Sequence, residues 1–123
     1  MEKLKIEHLG EIILASFQEE TIERMDRIDL LEEEFAELAK DKKGVNLLLD
    51  FTSVWYISSA VLGKLVLLRN WINAGKGRLK LSGLKRDIID IFKITKLDAF
   101  FDIYESTEEA LKTMQEEIAA KEN

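Results

Sequence analysis

Cysteine and proline are both absent from this chain of 123 residues, and its only histidine is His8. The lack of cysteine excludes disulfide bonds and thiolate metal sites. Without proline or a Gly/Ser-rich linker there is no sign of a domain boundary, so the sequence predicts one domain over residues 1–123. No apolar run approaches the roughly 20 residues of a membrane span, and the first residues lack the apolar core of a signal peptide. We therefore expect a cytoplasmic protein.

Charge is unevenly distributed along the chain. The net charge of −6 argues against general nucleic-acid binding, which needs a basic surface. Acidic residues dominate 19–41 and the tail from Leu97, whereas basic residues dominate 62–96. Such clusters are typical of the solvated faces of separate elements. They would also form a dipolar surface able to steer one protein partner.

The apolar pattern predicts strands that alternate with helices. Such an order implies right-handed crossovers between parallel strands. We predict an α/β fold with a mixed, mostly parallel sheet of about four to five strands and about four helices. Thr21 or Asp26 could cap the first helix, and Ser106 with Glu109 forms a capping box for the last. The predicted strands are 4–8, 11–17, 45–51, 78–82 and 100–104, and the predicted helices are 18–40, 59–73, 85–94 and 106–120.

The most informative segment runs from Asp50 to Ser59. A buried strand ends in Asp50, a short turn follows, and Ser58 and Ser59 stand where the next helix begins. Switch points of parallel sheets lie at such carboxyl ends of strands. A serine at a helix start is generally a cap, and it is also a position where a phosphate is tolerated by the fold. We interpret the protein as a phosphorylation-sensitive binding module and not an enzyme.

Catalytic, metal and cofactor motifs are missing from the sequence. His8 has no nucleophilic serine in a local motif, and there is no Gly-x-Ser-x-Gly elbow. Asp50 stands alone, without clustered metal ligands. The Gly75-Lys-Gly77 segment follows a helix and precedes a strand, which is the reverse of the order in a phosphate-binding loop. We therefore predict no catalytic residue, no metal site and no cofactor.

A known family shares this pattern. The segment Asp50-Phe-Thr-Ser-Val-Trp-Tyr-Ile-Ser-Ser-Ala-Val-Leu-Gly63 resembles the signature of STAS domains, the family of bacterial anti-sigma factor antagonists. The segments 79–84, 92–104 and 106–111 resemble the family's fourth strand and closing region. The resemblance implies a STAS-like fold, with Ser59 as the phosphoacceptor. Ser58 stands where the family usually carries Asp, which leaves it as the alternative acceptor. Lys96 and Val61 replace glycines that are frequent in the family.

The resemblance implies partner switching. The unmodified module would bind an anti-sigma factor of the serine-kinase type and displace the sigma factor. Phosphorylation of Ser59 would release it, and a PP2C-type phosphatase would reset it. No nucleic acid or membrane would take part. The predicted partner-binding residues are Ser53, Val54, Trp55, Tyr56, Ile57, Ser58, Ser59, Leu62 and Lys64.

Three other functions remain open from the sequence. One is a scaffold or assembly subunit that is never phosphorylated. Another is a small-molecule or nucleotide sensor that uses the crevice at the end of the 45–51 strand. The third is a hydrolase, which would depend on His8.

Overall fold

The structure, a computed structural model, describes residues 3–122. Five strands form the main sheet in the order β1-β2-β4-β6-β7, and β3 and β5 form a separate two-stranded sheet. The prediction of a mixed, mostly parallel sheet with four helices is confirmed. The strands are β1 (Lys5–Leu9), β2 (Ile12–Ser16), β3 (Thr21–Ile22), β4 (Asn46–Asp50), β5 (Tyr56–Ile57), β6 (Arg78–Ser82) and β7 (Asp102–Tyr104), and the helices are α1 (Met25–Ala39), α2 (Ser59–Ala74), α3 (Arg86–Ile94) and α4 (Thr107–Glu122).

The opening hairpin contains the only antiparallel pairing of the main sheet within residues 3–122. A two-residue turn at Gly10 and Glu11 joins β1 to β2, so that Leu9 faces Ile12. Gly10 has a φ of 63°, in the left-handed region that glycine adopts without steric cost. The hairpin places β1 at the edge of the sheet and β2 beside the central strand β4.

The two faces of β4 pack against different helices, because successive side chains of a strand point to opposite sides. Leu47 and Leu49 belong to one buried cluster with residues of α1 and α2. Leu48 lies on the other face, which α4 covers with the buried residues Ala110 and Met114. A central strand between two helical layers accounts for the continuous apolar run that predicted it.

Two elements begin two or more residues later than predicted. The first helix begins at Met25 and not at residue 18, because Thr21 and Ile22 form β3 and pair with β5. Neither Thr21 nor Asp26 is its N-cap; Arg24 occupies that position without a side-chain hydrogen bond. The last strand begins at Asp102, after a 3-10 turn at Leu97–Ala99.

The last helix starts as predicted: Ser106 Oγ accepts a hydrogen bond from the N–H of Glu109 at 3.1 Å. Within the described part of the chain, no helix has the length and apolar character needed to cross a bilayer.

Candidate functional site

Strand β4 ends in a turn organised by Asp50. Its Oδ1 accepts hydrogen bonds from the N–H of Thr52 at 2.9 Å and from the Thr52 hydroxyl. Such a side-chain turn satisfies backbone groups that leave the ladder. Gly83, which follows β6, lies directly beside it with a φ of +71°, and a Cβ there would lie 2.5 Å from Thr52 Oγ1. Gly83 and Thr52 therefore pack closely at the carboxyl end of β4.

The loop after this turn is held by β3. Glu20 O accepts hydrogen bonds from the N–H groups of Trp55 at 2.7 Å and Tyr56 at 3.2 Å. Ile22 O accepts one from the N–H of Ser58 at 3.0 Å. Sequence reasoning missed these backbone acceptors because it placed them in a helix. The β-branched pair Thr21-Ile22 favours a strand, but two residues are too few to reveal one.

The two serines differ in their surroundings. Ser58 is the N-cap of α2, but its Oγ is buried and has no hydrogen-bond partner within residues 3–122. Ser59, the first residue of α2, is exposed. The first turn of α2 contains no acidic residue, so the free N–H groups and positive end of the helix dipole are not offset there. Only Ser59 therefore presents a position open to solvent.

Two aromatic side chains are displayed next to these serines. Trp55 is 63 % exposed and Tyr56 is 48 % exposed. Lys85 Nζ lies 4.8 Å from the centroid of the Trp55 ring, which is cation–π geometry, and donates a hydrogen bond to Thr52 O. The contact with Lys85 orients the Trp55 ring. Nothing in the sequence distinguishes Lys85 from the other lysines, so this contact could not be predicted.

Three of the predicted partner-binding residues do not present a side chain to a partner. Val54, Ile57 and Leu62 are 0, 2 and 5 % exposed and belong to the core cluster. Their apolar side chains anchor the loop and α2 from beneath. Lys64 reaches α1, where its Nζ lies 2.6 Å from Glu32 Oε1, and this hydrogen bond raises the pKa of Lys64.

Four of the nine predicted partner-binding residues are exposed. We call these residues the loop surface: Ser53, Trp55, Tyr56 and Ser59.

His8 is not brought together with either serine. It lies on β1 opposite Ile13, and Ile13 lies opposite Leu47 near the start of β4. Ser59 follows the other end of β4. The geometry offers no support for the hydrolase alternative.

The unpaired Ser58 hydroxyl leads to a stability prediction. We expect Ser58→Ala to leave the free energy of unfolding unchanged or to raise it, because an unsatisfied buried hydroxyl carries a desolvation cost. Ser106→Ala is the matched control, and we expect it to lose about 1 kcal/mol because that serine does cap its helix. Urea unfolding measures both. An equal loss in the two variants would contradict the absence of a cap at Ser58.

Comparison with solved structures gives the same architecture. An anti-sigma factor antagonist (STAS) domain protein from Planctomyces limnophilus superposes with a TM-score of 0.82 at 19 % identity, covering 93 % of this chain and 98 % of that one. An anti-sigma factor antagonist from Mycobacterium paratuberculosis gives a TM-score of 0.77 at 18 % identity, covering 92 % and 93 %. These similarities show a shared fold.

A third protein has been solved in two chemical states. SpoIIAA in its unphosphorylated form superposes with a TM-score of 0.67 at 12 % identity, covering 92 % of this chain and 98 % of that one. The Bacillus protein in its phosphorylated form gives 0.65 at 12 % identity, covering 90 % and 98 %. Independently, the family model of the STAS domain matches residues 26–110, more than half of the sequence. The chain therefore belongs to the STAS domain family.

Proposed function

We propose that this chain acts as an anti-sigma factor antagonist that phosphorylation of Ser59 switches off. The observation that carries the proposal is the exposed Ser59 at the first position of α2, next to the exposed aromatic rings of Trp55 and Tyr56. Tryptophan and tyrosine are enriched among residues that dominate binding energy. The loop surface is therefore a docking surface for a protein partner, with a modifiable hydroxyl inside it.

Ser59 is a better acceptor than Ser58 on structural grounds. The Ser58 Oγ is buried, so a kinase could reach it only after the start of α2 opens. Ser59 needs no such opening because it is exposed. We therefore place the phosphate on Ser59, as the sequence predicted, and regard Ser58 as a structural residue.

A phosphate at Ser59 would act on docking and not on folding. It adds about −1.5 to −2 charges at neutral pH. The N-terminal N–H groups of α2 and the helix dipole stabilise negative charge at that position. A partner packed over Trp55 and Tyr56 would bury the same charge without a counterion, which is costly. The modified domain would stay folded and lose its partner.

The partner in this proposal is an anti-sigma factor of the serine-kinase type, and a PP2C-type phosphatase restores the unmodified form. The family membership and the structural similarity to anti-sigma factor antagonists support this. So does the structural similarity to SpoIIAA, a protein solved both with and without phosphate. The module works as a regulatory subunit without chemistry of its own.

The test uses the purified chain, ATP and the serine kinases of the anti-sigma type that the same genome encodes. We expect mass spectrometry to place one phosphate on Ser59. We expect Ser59→Asp to weaken binding of the unmodified partner by about tenfold or more, since the added charge is buried in the complex. Ser59→Ala should bind like the wild type and accept no phosphate.

Ser106→Asp is the matched control, because it adds the same charge at another helix start, which follows β7, two strands away from β4. It should leave partner binding unchanged. Thermal unfolding should show that both aspartate variants are as stable as the wild type. Wild-type affinity of the Ser59→Asp variant, or phosphate found on Ser58, would contradict the proposal.

A further inference from the structure

Strand β1 forms an open edge of the main sheet. No strand within residues 3–122 lies on its outer side, and all five of its residues are exposed. Ile6 and Leu9 are each 39 % exposed. An edge strand offers unpaired N–H and C=O groups to another strand. This edge is long enough to pair and carries two apolar side chains, so it is a candidate interaction surface.

The hairpin decides which backbone groups point outward. Leu9 and Ile12 flank a two-residue turn and therefore form a hydrogen-bonded pair. Hydrogen-bonded and non-bonded positions alternate along an antiparallel ladder. The N–H and C=O groups of Lys5 and Glu7 consequently face β2, whereas those of Ile6 and His8 face outward. Leu4 N–H is already donated to Glu34 Oε2 at 2.7 Å.

We propose that β1 pairs antiparallel with β1 of a second copy of this chain, around a two-fold axis at Ile6. The two Ile6 residues then exchange both backbone hydrogen bonds. His8 N–H donates to Leu4 O of the second copy, and the reverse. Two five-stranded sheets become one of ten strands. The loop surface stays free, because Ser59 follows β4, two strands away from β1.

The charges of β1 favour this register over the two adjacent ones. With the axis at Ile6, Lys5 of each copy lies opposite Glu7 of the other, at non-hydrogen-bonded positions where side chains are closest. An axis at Lys5 would oppose two lysines, and an axis at Glu7 would oppose two glutamates; like charges directly opposite are destabilising. Lys5 Nζ and Glu7 Oε1 already lie 4.0 Å apart within one chain, so both side chains extend over the same face.

The opposite face of β1 supports the same register. Ile6 borders a groove between the sheet and α1, about 520 Å³ in volume, whose walls include Ile13, Leu30 and Leu38. The two-fold axis places a second isoleucine directly beside it. The interface between the two copies therefore has an apolar contact on one face of the sheet and two ion pairs on the other face.

Cysteine cross-linking tests the register, since the chain contains no cysteine. In the proposed dimer the two Ile6 Cα atoms lie about 5.5 Å apart, within the range of a disulfide. We expect the Ile6→Cys variant to form a disulfide-linked dimer under mild oxidation with diamide. His8→Cys and Glu7→Cys are matched controls on the same strand, and their Cα atoms would be too far apart in this register to link.

A charge swap tests the ion pairs. Sedimentation equilibrium should show a concentration-dependent wild-type dimer, and Lys5→Glu should weaken it by about tenfold because four carboxylates then meet at the axis. The double variant Lys5→Glu/Glu7→Lys restores opposite charges and should restore the dimer. Circular dichroism verifies that each variant is folded.

Three results would overturn the proposal. One is a wild-type monomer at every concentration together with no cross-link in Ile6→Cys. Another is faster linking of Glu7→Cys than of Ile6→Cys, which would place the axis elsewhere. The third is failure of the double variant to recover what Lys5→Glu loses. None of these results bears on Ser59, so the proposed switch would stand or fall separately.

Discussion

Replacing Arg27 by methionine is expected to lower the free energy of unfolding by about 3 kcal/mol or more, because it leaves two carboxylates without their partner. Arg27 is 4 % exposed. Its guanidinium contacts both oxygens of Glu19, at 2.6 and 2.9 Å, and Glu34 Oε1 at 2.7 Å. The side chains of Glu19 and Glu34 are only 14 and 13 % exposed, so we expect water to compensate only in part for the lost arginine.

The pKa of Arg27 is raised above its ordinary value. Burial alone would lower it, but the hydrogen bonds and charges of Glu19 and Glu34 outweigh burial and raise it. The arginine therefore stays charged at any ordinary pH. Glu19 leads into β3, and the backbone of β3 and of Glu20 binds the loop that carries Trp55. The same ion pairs therefore also hold this loop in position.

Lys80→Met is the matched control for this prediction. Lys80 is equally buried, at 2 %, and its Nζ contacts Asp102 and Glu117. These two carboxylates are 51 and 42 % exposed, so they can be hydrated when the lysine is gone. We expect a clearly smaller loss than for Arg27→Met, measured by urea unfolding. Equal losses would contradict the idea that burial of the partner carboxylates sets the cost.

Replacing Gly83 by alanine is expected to destabilise the protein by about 3 kcal/mol, from two causes that add. The φ of +71° is unfavourable for any residue with a Cβ, by about 1 to 2 kcal/mol. The new Cβ would also lie 2.5 Å from Thr52 Oγ1 and 3.0 Å from Thr52 N. Since Thr52 belongs to the Asp50 turn, relief of the clash would displace the chain that leads to Trp55.

Gly10→Ala separates the two causes. Gly10 has a φ of +63°, but a Cβ there would meet no atom within 4 Å, so only the backbone cost applies. We expect Gly10→Ala to lose about half as much stability as Gly83→Ala, and to leave the fluorescence of Trp55 unchanged. Trp71→Phe in the background removes the second tryptophan signal. Similar losses in both variants would show that Thr52 accommodates the methyl group.

Much of the architecture follows from local patterns that act over one element at a time. Each of three features can be predicted from its own segment alone. They are the apolar run up to Phe51, the periodic apolar residues after Ser59 and the capping of α4 by Ser106. Burial then requires alternating strands and helices to form a layered, mostly parallel sheet. The same local reasoning located the turn between Asp50 and Ser59.

The details of the site depend on residues that are distant in sequence. The β3–β5 pairing joins residues 21–22 to 56–57, and two-residue strands leave no periodicity to detect. Whether Val54 or Trp55 faces solvent depends on how Glu20 and Ile22 bind the loop, and not on hydrophobicity.

Local spacing along the chain was sufficient to predict the order of the elements and a helix start at Ser58 and Ser59. The segment from Asp50 to Gly63 was sufficient to show the resemblance to STAS domains. The folded chain was needed to show which serine is exposed, which residues form the loop surface, and that β1 has no neighbouring strand on its outer side within residues 3–122. These properties depend on which atoms cover each group in the folded chain. Those atoms belong to elements that are distant in sequence, so a local pattern does not reveal them.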